Sequence, residues 1–305
     1  MILKVDNIYK TFGSKKVLNG ISFSACSGQA LGLLGRNGAG KTTIIRTIMD
    51  IFQPDKGTIL LDDKSFCPSE VQIGYLPEEK GLYAKRTVLE QIVYYGKLRG
   101  ITKKEAIKNA EFWLKRLGMA EFCKSKVETL SKGNQQKIQL AVALVNNPEI
   151  VILDEPFSGL DPVNSKLLQE VVSELIEMNK IVIFSSHQMS YVEEFCKNIV
   201  IIDKGSVVLQ GNIDDIKRQY GNEKIIIKST NKANAEIEEY ITKCMKQNVY
   251  VNYSDEKGIV LTPKEGNSKK IILQKLLEME DIELECFKKY EPTLNDIFVE
   301  KVGGN

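Results

Sequence analysis

Four short stretches carry residue types suited to phosphate chemistry. The run GRNGAGKT, Gly35 to Thr42, fits the pattern G-x-x-x-x-G-K-[ST]. Its glycines, Gly35, Gly38 and Gly40, let the backbone curl so that N–H groups face phosphate oxygens. Lys41 is placed to reach the β- and γ-phosphates, and the Thr42 hydroxyl to ligate Mg²⁺. Asn37, Ala39 and Thr43 complete the candidate loop. The stretch IVILDEP ends an apolar run with two carboxylates. Asp154 suits the Mg²⁺ shell, and Glu155 suits a general base for an attacking water. His187 closes IVIFSSH, where it could donate a hydrogen bond to a γ-phosphate oxygen. The fourth stretch, LSKGNQQK, sets Ser131 and Gly133 just ahead of a helical run from Gln135 to Val145, a second anion-seeking helix start.

Three kinds of element must position these residues. Residues 1 to about 66 are strand-rich, interrupted by KTTIIRTIMDIF, whose Ile44, Ile45, Ile48, Met49 and Phe52 recur at helical spacing. From Thr87 to Asn147 the pattern is helical, with spans expected near 87–99, 102–117 and 134–146; TVLE and TKKE both match the capping box. EIVILDEP and KIVIFSSH then read as strands joined by a helix, the order of parallel strands with a crossover. Ligands of such sheets bind beyond the strands' carboxyl ends, where the loop, both carboxylates and the histidine would meet. A boundary is expected near RQYGNEK, after which the order β, α, β, β, α, β matches a split βαββαβ module.

The bulk numbers limit the partners. A chain of 305 residues suits one large domain plus a smaller one. Lys and Arg total 42 against 40 for Asp and Glu; that balance, without a basic stripe, gives no reason to expect nucleic acid. The six cysteines form no C-x-x-C pair, which excludes zinc-site spacing, and read as small core residues in a reducing compartment. The N-terminal stretch alternates like a strand and lacks a leader's apolar core. Apolar runs stay well below the ~18 residues needed to span a bilayer.

Together these stretches resemble the ATP-binding cassette (ABC) family of ATPases. GRNGAGKTT looks like its Walker A loop, VILDEP its Walker B, SGLD its D-loop, SSHQ its switch histidine, and LSKGNQQK the signature that sets the family apart. The flanking strands extend the resemblance over roughly residues 1–220. It implies an α/β fold, a P-loop nucleotide-binding domain of ABC type over residues 1–221. That domain would have a parallel sheet core, an antiparallel β subdomain and a helical subdomain at about 85–148. A small α+β domain of βαββαβ type would cover 222–305. It also implies ATP and Mg²⁺ as ligands, and a head-to-tail dimer in which Ser131, the Gly133 backbone and the D-loop Asp161 serve the partner's nucleotide. Phe12 matches the aromatic that stacks on adenine, with a core phenylalanine as the competing reading. Glu78 stands at the family's Q-loop glutamine position, in the Mg²⁺ and water network, while Lys132 and Asn134 replace the signature's usual glycine and glutamine.

The tail EPTLNDIFVEKVGG resembles the ATP-binding subunits of ABC-2 type exporters, the branch linked to sodium or drug efflux. That reading implies a separate membrane permease, a location on the cytoplasmic face of the membrane, and a docking groove beside the Glu78 loop, with Tyr75 and Tyr83 as candidates to line it. The alternative is a soluble regulatory ATPase that uses its C-terminal module as a sensor or protein-binding unit.

Overall fold

The computed structural model of the protein describes residues 1–79 and 81–303. They form two compact units whose bodies are Met1–Ile213 and Asp214–Glu300.

The first unit is built on a six-stranded sheet. Its strands are β3 (Gln29–Leu34), β6 (Ile73–Leu76), β7 (Ile150–Asp154), β8 (Ile181–Ser186), β9 (Asn198–Asp203) and β10 (Ser206–Asn212), in the order β10-β9-β3-β8-β7-β6. All neighbours run parallel except β9 and β10. Strands β7 and β8 are buried at every residue, which explains why they read as continuous apolar runs and not as alternating ones. Their crossover is α5 (Pro162–Glu177), started by Asp161 as N-cap and by Pro162, whose missing N–H costs nothing in a first turn. A four-stranded antiparallel sheet is formed by β1 (Ile2–Phe12), β2 (Lys15–Cys26), β4 (Lys56–Leu61) and β5 (Lys64–Ser65), in the order β2-β1-β4-β5. Helix α1 (Lys41–Ile48) puts Ile44, Ile45 and Ile48 into the shared core, each worth about 1.5–3 kcal/mol of burial. The helix is shorter than the periodicity implied: Met49 caps it, and Phe52 packs edge-on against Phe12, ring centroids 5.1 Å apart.

Helices α2 (Val88–Leu98), α3 (Lys103–Arg116) and α4 (Lys132–Leu144) make the helical segment. The Thr87 box is complete, its hydroxyl accepting the Glu90 N–H while Glu90 accepts the Thr87 N–H. At Thr102 the hydroxyl accepts the Glu105 N–H at 3.3 Å, and Glu105 returns no such bond. Buried Trp113 on α3 donates to the Leu144 carbonyl at 3.1 Å, tying α3 to the end of α4. Helix α4 begins at Lys132, three residues before the expected Gln135, because the Ser131 hydroxyl accepts the Asn134 N–H and draws the signature's glycine into the first turn.

In the second unit β11 (Ile225–Ser229), α8 (Asn234–Cys244), β12 (Val249–Asp255), β13 (Gly258–Pro263), α9 (Lys269–Leu276) and β14 (Leu284–Lys289) follow the expected βαββαβ order. The strands form an antiparallel sheet, β12-β13-β11-β14. Ile225, Ile227, Ile259 and Leu261 meet Ile237 and Ile241 of α8 and Ile272 and Leu276 of α9 in one core. Three α-helices among the described residues were not anticipated: α6 (Met189–Phe195) in the first unit, α7 (Ile213–Tyr220) and α10 (Leu294–Val302). The cysteines correct another expectation: all six are free thiols, yet only Cys196 is buried, and Cys67 and Cys244 are exposed.

Candidate functional site

The phosphate loop leaves β3 at Gly35 and enters α1 at Lys41. Gly40, the N-cap, has φ of 114°, a conformation open to glycine and strained for residues with a Cβ. A cavity of about 500 Å³ opens over the loop. Asn37, Gly38, Gly40, Lys41, Thr42 and Thr43 line it. So do Phe12 from β1 and two carboxylates, Glu78 and Glu155. Phe12 is 42% exposed, so it is a cavity wall and not a core residue. Lys15, Val17 and Arg36 also line the space; sequence reasoning missed them, because only the hairpin of β1 and β2 brings the first two there.

Lys41 is buried and donates to the Gly35 carbonyl at 2.8 Å. Its ammonium also lies 3.3 Å from Glu155 Oε1, as an ion pair without hydrogen-bond geometry. Glu155 Oε2 lies 2.8 Å from Nδ1 of His187. Glu155 has φ of 49°, a left-handed turn costing a carboxylate residue about 1–3 kcal/mol. Its N–H is held there by the carbonyl and hydroxyl of Ser185, at 3.2 and 3.1 Å. The same Ser185 hydroxyl donates to Asp154 Oδ1 at 2.5 Å. Ser185 was therefore overlooked as a positioning residue. The parallel register pairing Asp154 with Ser185 places it there, a relation invisible in either stretch alone.

Asp154 Oδ2 is buried without a hydrogen-bond partner. An orphaned buried carboxylate oxygen is costly unless a cation meets it, and Mg²⁺ is commonly held by one or two carboxylates plus the substrate's phosphates. The donor set of Asp154 and Thr42 fits that ion. Nearby, burial and then Asp154 push the Tyr75 phenol up to about 12, against a smaller lowering by Arg46.

Ser131, Gly133 and Asp161 do not line this cavity. Ser131 and Asp161 cap α4 and α5. The Asp161 carboxyl is held below its ordinary value mainly by the Asn164 N–H, which it accepts at 2.9 Å. Asn164 also approaches Gly133, where a Cβ would come within 3.0 Å of its amide nitrogen. Two further glutamines of α4 tie the signature helix to the nucleotide side: Gln136 donates to the Pro156 carbonyl at 2.5 Å, and Gln139 to the Glu79 carbonyl at 3.2 Å. Of the tyrosines expected at a docking groove, Tyr83 lines a cavity of about 380 Å³ with Arg86, Glu90, Gln91 and Tyr94. Tyr75 does not; it packs against the core of the first unit.

A glycine loop, a lysine and a carboxylate–histidine pair at the carboxyl edge of a parallel sheet define a phosphate-loop nucleotide-binding protein. Its family model is that of the ABC transporter, matched over residues 18–158; residues 211–302 match the C-terminal domain of DrrA1-3-like ATP-binding proteins. The chain belongs to the ATP-binding proteins of ABC transporters. It is 39% identical to YhaQ, an ABC transporter ATP-binding protein of Bacillus subtilis, over 99% of each chain. It is 38% identical to the linearmycin resistance ATP-binding protein LnrL of the same organism, over 74% of each. It is 31% identical to the bacitracin transport ATP-binding protein BcrA of Bacillus licheniformis, over 99% of this chain and 98% of that one. Among solved structures, an ATP-binding subunit of an ABC transporter aligns with a TM-score of 0.67 at 28% identity, covering 79% of this chain and all of that one. The dimeric cassette MJ0796 shares the fold, with a TM-score of 0.63 at 24% identity over 69% of this chain and 98% of that one.

Proposed function

We propose that this chain hydrolyses ATP with Mg²⁺ to drive a separate membrane permease, as the ATP-binding subunit of an ABC-2 type exporter. The observation that carries the reading is the Lys41–Glu155–His187 array, whose first two members line the loop cavity, with Ser131 and Gly133 outside it. One chain then holds half of each nucleotide site. Lys41 would exchange its contact with Glu155 for the β- and γ-phosphates. Glu155 would be freed to take a proton from water, with His187 orienting it and then donating to the γ-phosphate. Thr42 and Asp154 would hold Mg²⁺, with Glu78 in its water network, and the ion would neutralise charge developing on the phosphates. The exposed helix start at Ser131 and Gly133, with Asp161, would meet the partner's nucleotide, as the family's head-to-tail dimers imply.

Two relatives named for linearmycin resistance and bacitracin transport support the exporter branch. No helix among the described residues is long and apolar enough to cross a membrane; on this reading the chain sits at the cytoplasmic face through its permease, docked beside Tyr83. The test is to tag the chain, solubilise its native membranes in mild detergent and identify what copurifies. A near-stoichiometric polypeptide with several apolar spans of ~20 residues is expected. Soluble partners alone, with the chain missing from the membrane fraction, would replace the transport reading with a regulatory one.

A further inference from the structure

The second unit carries a cavity lined wholly by its own residues. Helices α8 and α9 cover one face of its sheet. On the other face Tyr253 pairs with Val260, and Val260 with Ile226, so the three stand side by side across β12, β13 and β11. Val260 and Ile226 are buried there with Tyr290. A cavity of about 410 Å³ opens on this face, within the size range of small-molecule sites.

Its walls combine aromatic rings with an excess of carboxylates. Tyr253, Tyr290 and Tyr220 line it, as do Asp255, Asp296 and Glu300, against a single lining ammonium, Lys224. The Tyr253 and Tyr290 rings stand edge to face, 6.1 Å apart at 82°. Their hydroxyls are hydrogen-bonded to each other, and Tyr290 donates to Asp296 Oδ2 at 3.1 Å. Burial, first among the causes, raises both phenols, so they stay neutral. With the hydroxyls engaged, the two lining rings are fixed in orientation. The native ammoniums hold the carboxylates loosely: Lys224 lies 4.0 Å from Glu300, and Lys257 lies 3.5 Å from Asp296.

Three carboxylates against the ammoniums of Lys224 and Lys257 leave a net negative charge, which disfavours an anion. A neutral apolar body would fill the space but leave that field unanswered. A cation on an apolar body satisfies both, its charge against the carboxylates and the tyrosine rings and its body on Pro292, Ile297 and Val299. We propose that this cavity binds a small organic cation, an ammonium or amidinium on an apolar or aromatic body, which places a ligand-sensing function in the C-terminal unit. The assignment does not depend on the transport reading.

The test uses the full chain, with benzyltrimethylammonium as probe and 3-phenylpropionate as its anionic counterpart, followed by calorimetry and saturation-transfer NMR. Saturable binding of the cation and none of the anion is expected. Tyr253→Leu should weaken it about tenfold, the loss expected for a desolvated cation–π contact. Glu300→Gln, at a half-exposed position that can change without disturbing the fold, should weaken it severalfold. ATP affinity should not change in either variant. No saturable cation binding would overturn the site, and equal binding of the anion would overturn the ligand class. Cation binding untouched by both substitutions would overturn the location.

Discussion

The Glu155 carboxylate lies 2.8 Å from the His187 ring, and its other oxygen lies 3.3 Å from the buried Lys41 ammonium. One carboxylate thus stands between the group that would bind phosphate and the group that would sense it.

That arrangement predicts the behaviour of Glu155→Gln. The amide keeps the side chain's size but cannot take a proton from water. Steady-state phosphate release should fall about 10²–10⁴-fold, the usual worth of a general base. Nucleotide binding, measured with a fluorescent ATP analogue, should persist, and light scattering should show a dimer trapped by ATP. Unchanged phosphate release would remove Glu155 from the role of base.

Ser131→Arg separates the two halves of the nucleotide site. The N-cap bond to Asn134 would be lost, at about 1 kcal/mol of helix stability, and a bulky cation would stand where the partner's γ-phosphate is expected. ATP should still bind, since Ser131 does not line the loop cavity. ATP-driven dimerisation should disappear in sedimentation, and its survival would reject the assignment of Ser131 to the neighbour's nucleotide.

Much of this was legible in the chain because local chemistry and topology agree. The loop, the paired carboxylates and His187 each sit at a strand's carboxyl end, so three separate stretches pointed to one edge. The helix starts were legible where a capping-box pattern marks them, as at Thr87 and Thr102, and misplaced at Ser131, whose cap was not read as one. What stayed hidden depends on register between distant strands. Ser185 has no motif of its own and matters only because it lies beside Asp154. Phe52 matched a helical period but left the helix for the Phe12 ring. The aromatic cavity of the second unit draws Tyr253 from a strand and Asp296 from a helix far apart in sequence, and composition cannot show that meeting.

Gly35 should tolerate no larger residue. A Cβ there would come within 2.5 Å of the Ile202 carbonyl oxygen, a backbone atom that cannot rotate away. Gly35→Ala should cost about 1–3 kcal/mol, the range for overpacking, read as a lower urea midpoint with an unchanged m-value. A midpoint equal to the parent's would mean that β3 and β9 can separate freely at this point.

Acid should loosen the second unit through Asp296. Burial alone would raise this carboxyl, but the Thr293 N–H and hydroxyl, Tyr290 and Lys257 together hold it below the ordinary 3.8. As pH falls through the ordinary value, the unfolded chain takes up the proton first, and the stabilisation is lost progressively down to the folded value. Amide exchange in β11 and β13, corrected for intrinsic rate, should quicken below about pH 4. In Asp296→Asn that increment should be missing, and a parent-like acid response would assign it to other carboxylates.

The pairing of β3 with β8 and β9 bears on how the protein is made. Strand β3 leaves the ribosome roughly 150 residues ahead of β8, a delay of roughly 7–30 s at the usual rate of synthesis. Through that interval both of its hydrogen-bonding edges lack their native partners, although Leu31 and Leu33 can already meet the apolar residues of β1 and β2. Until Ile202 emerges, Gly35 lacks the backbone it packs against, so the phosphate loop takes its final place only late in synthesis.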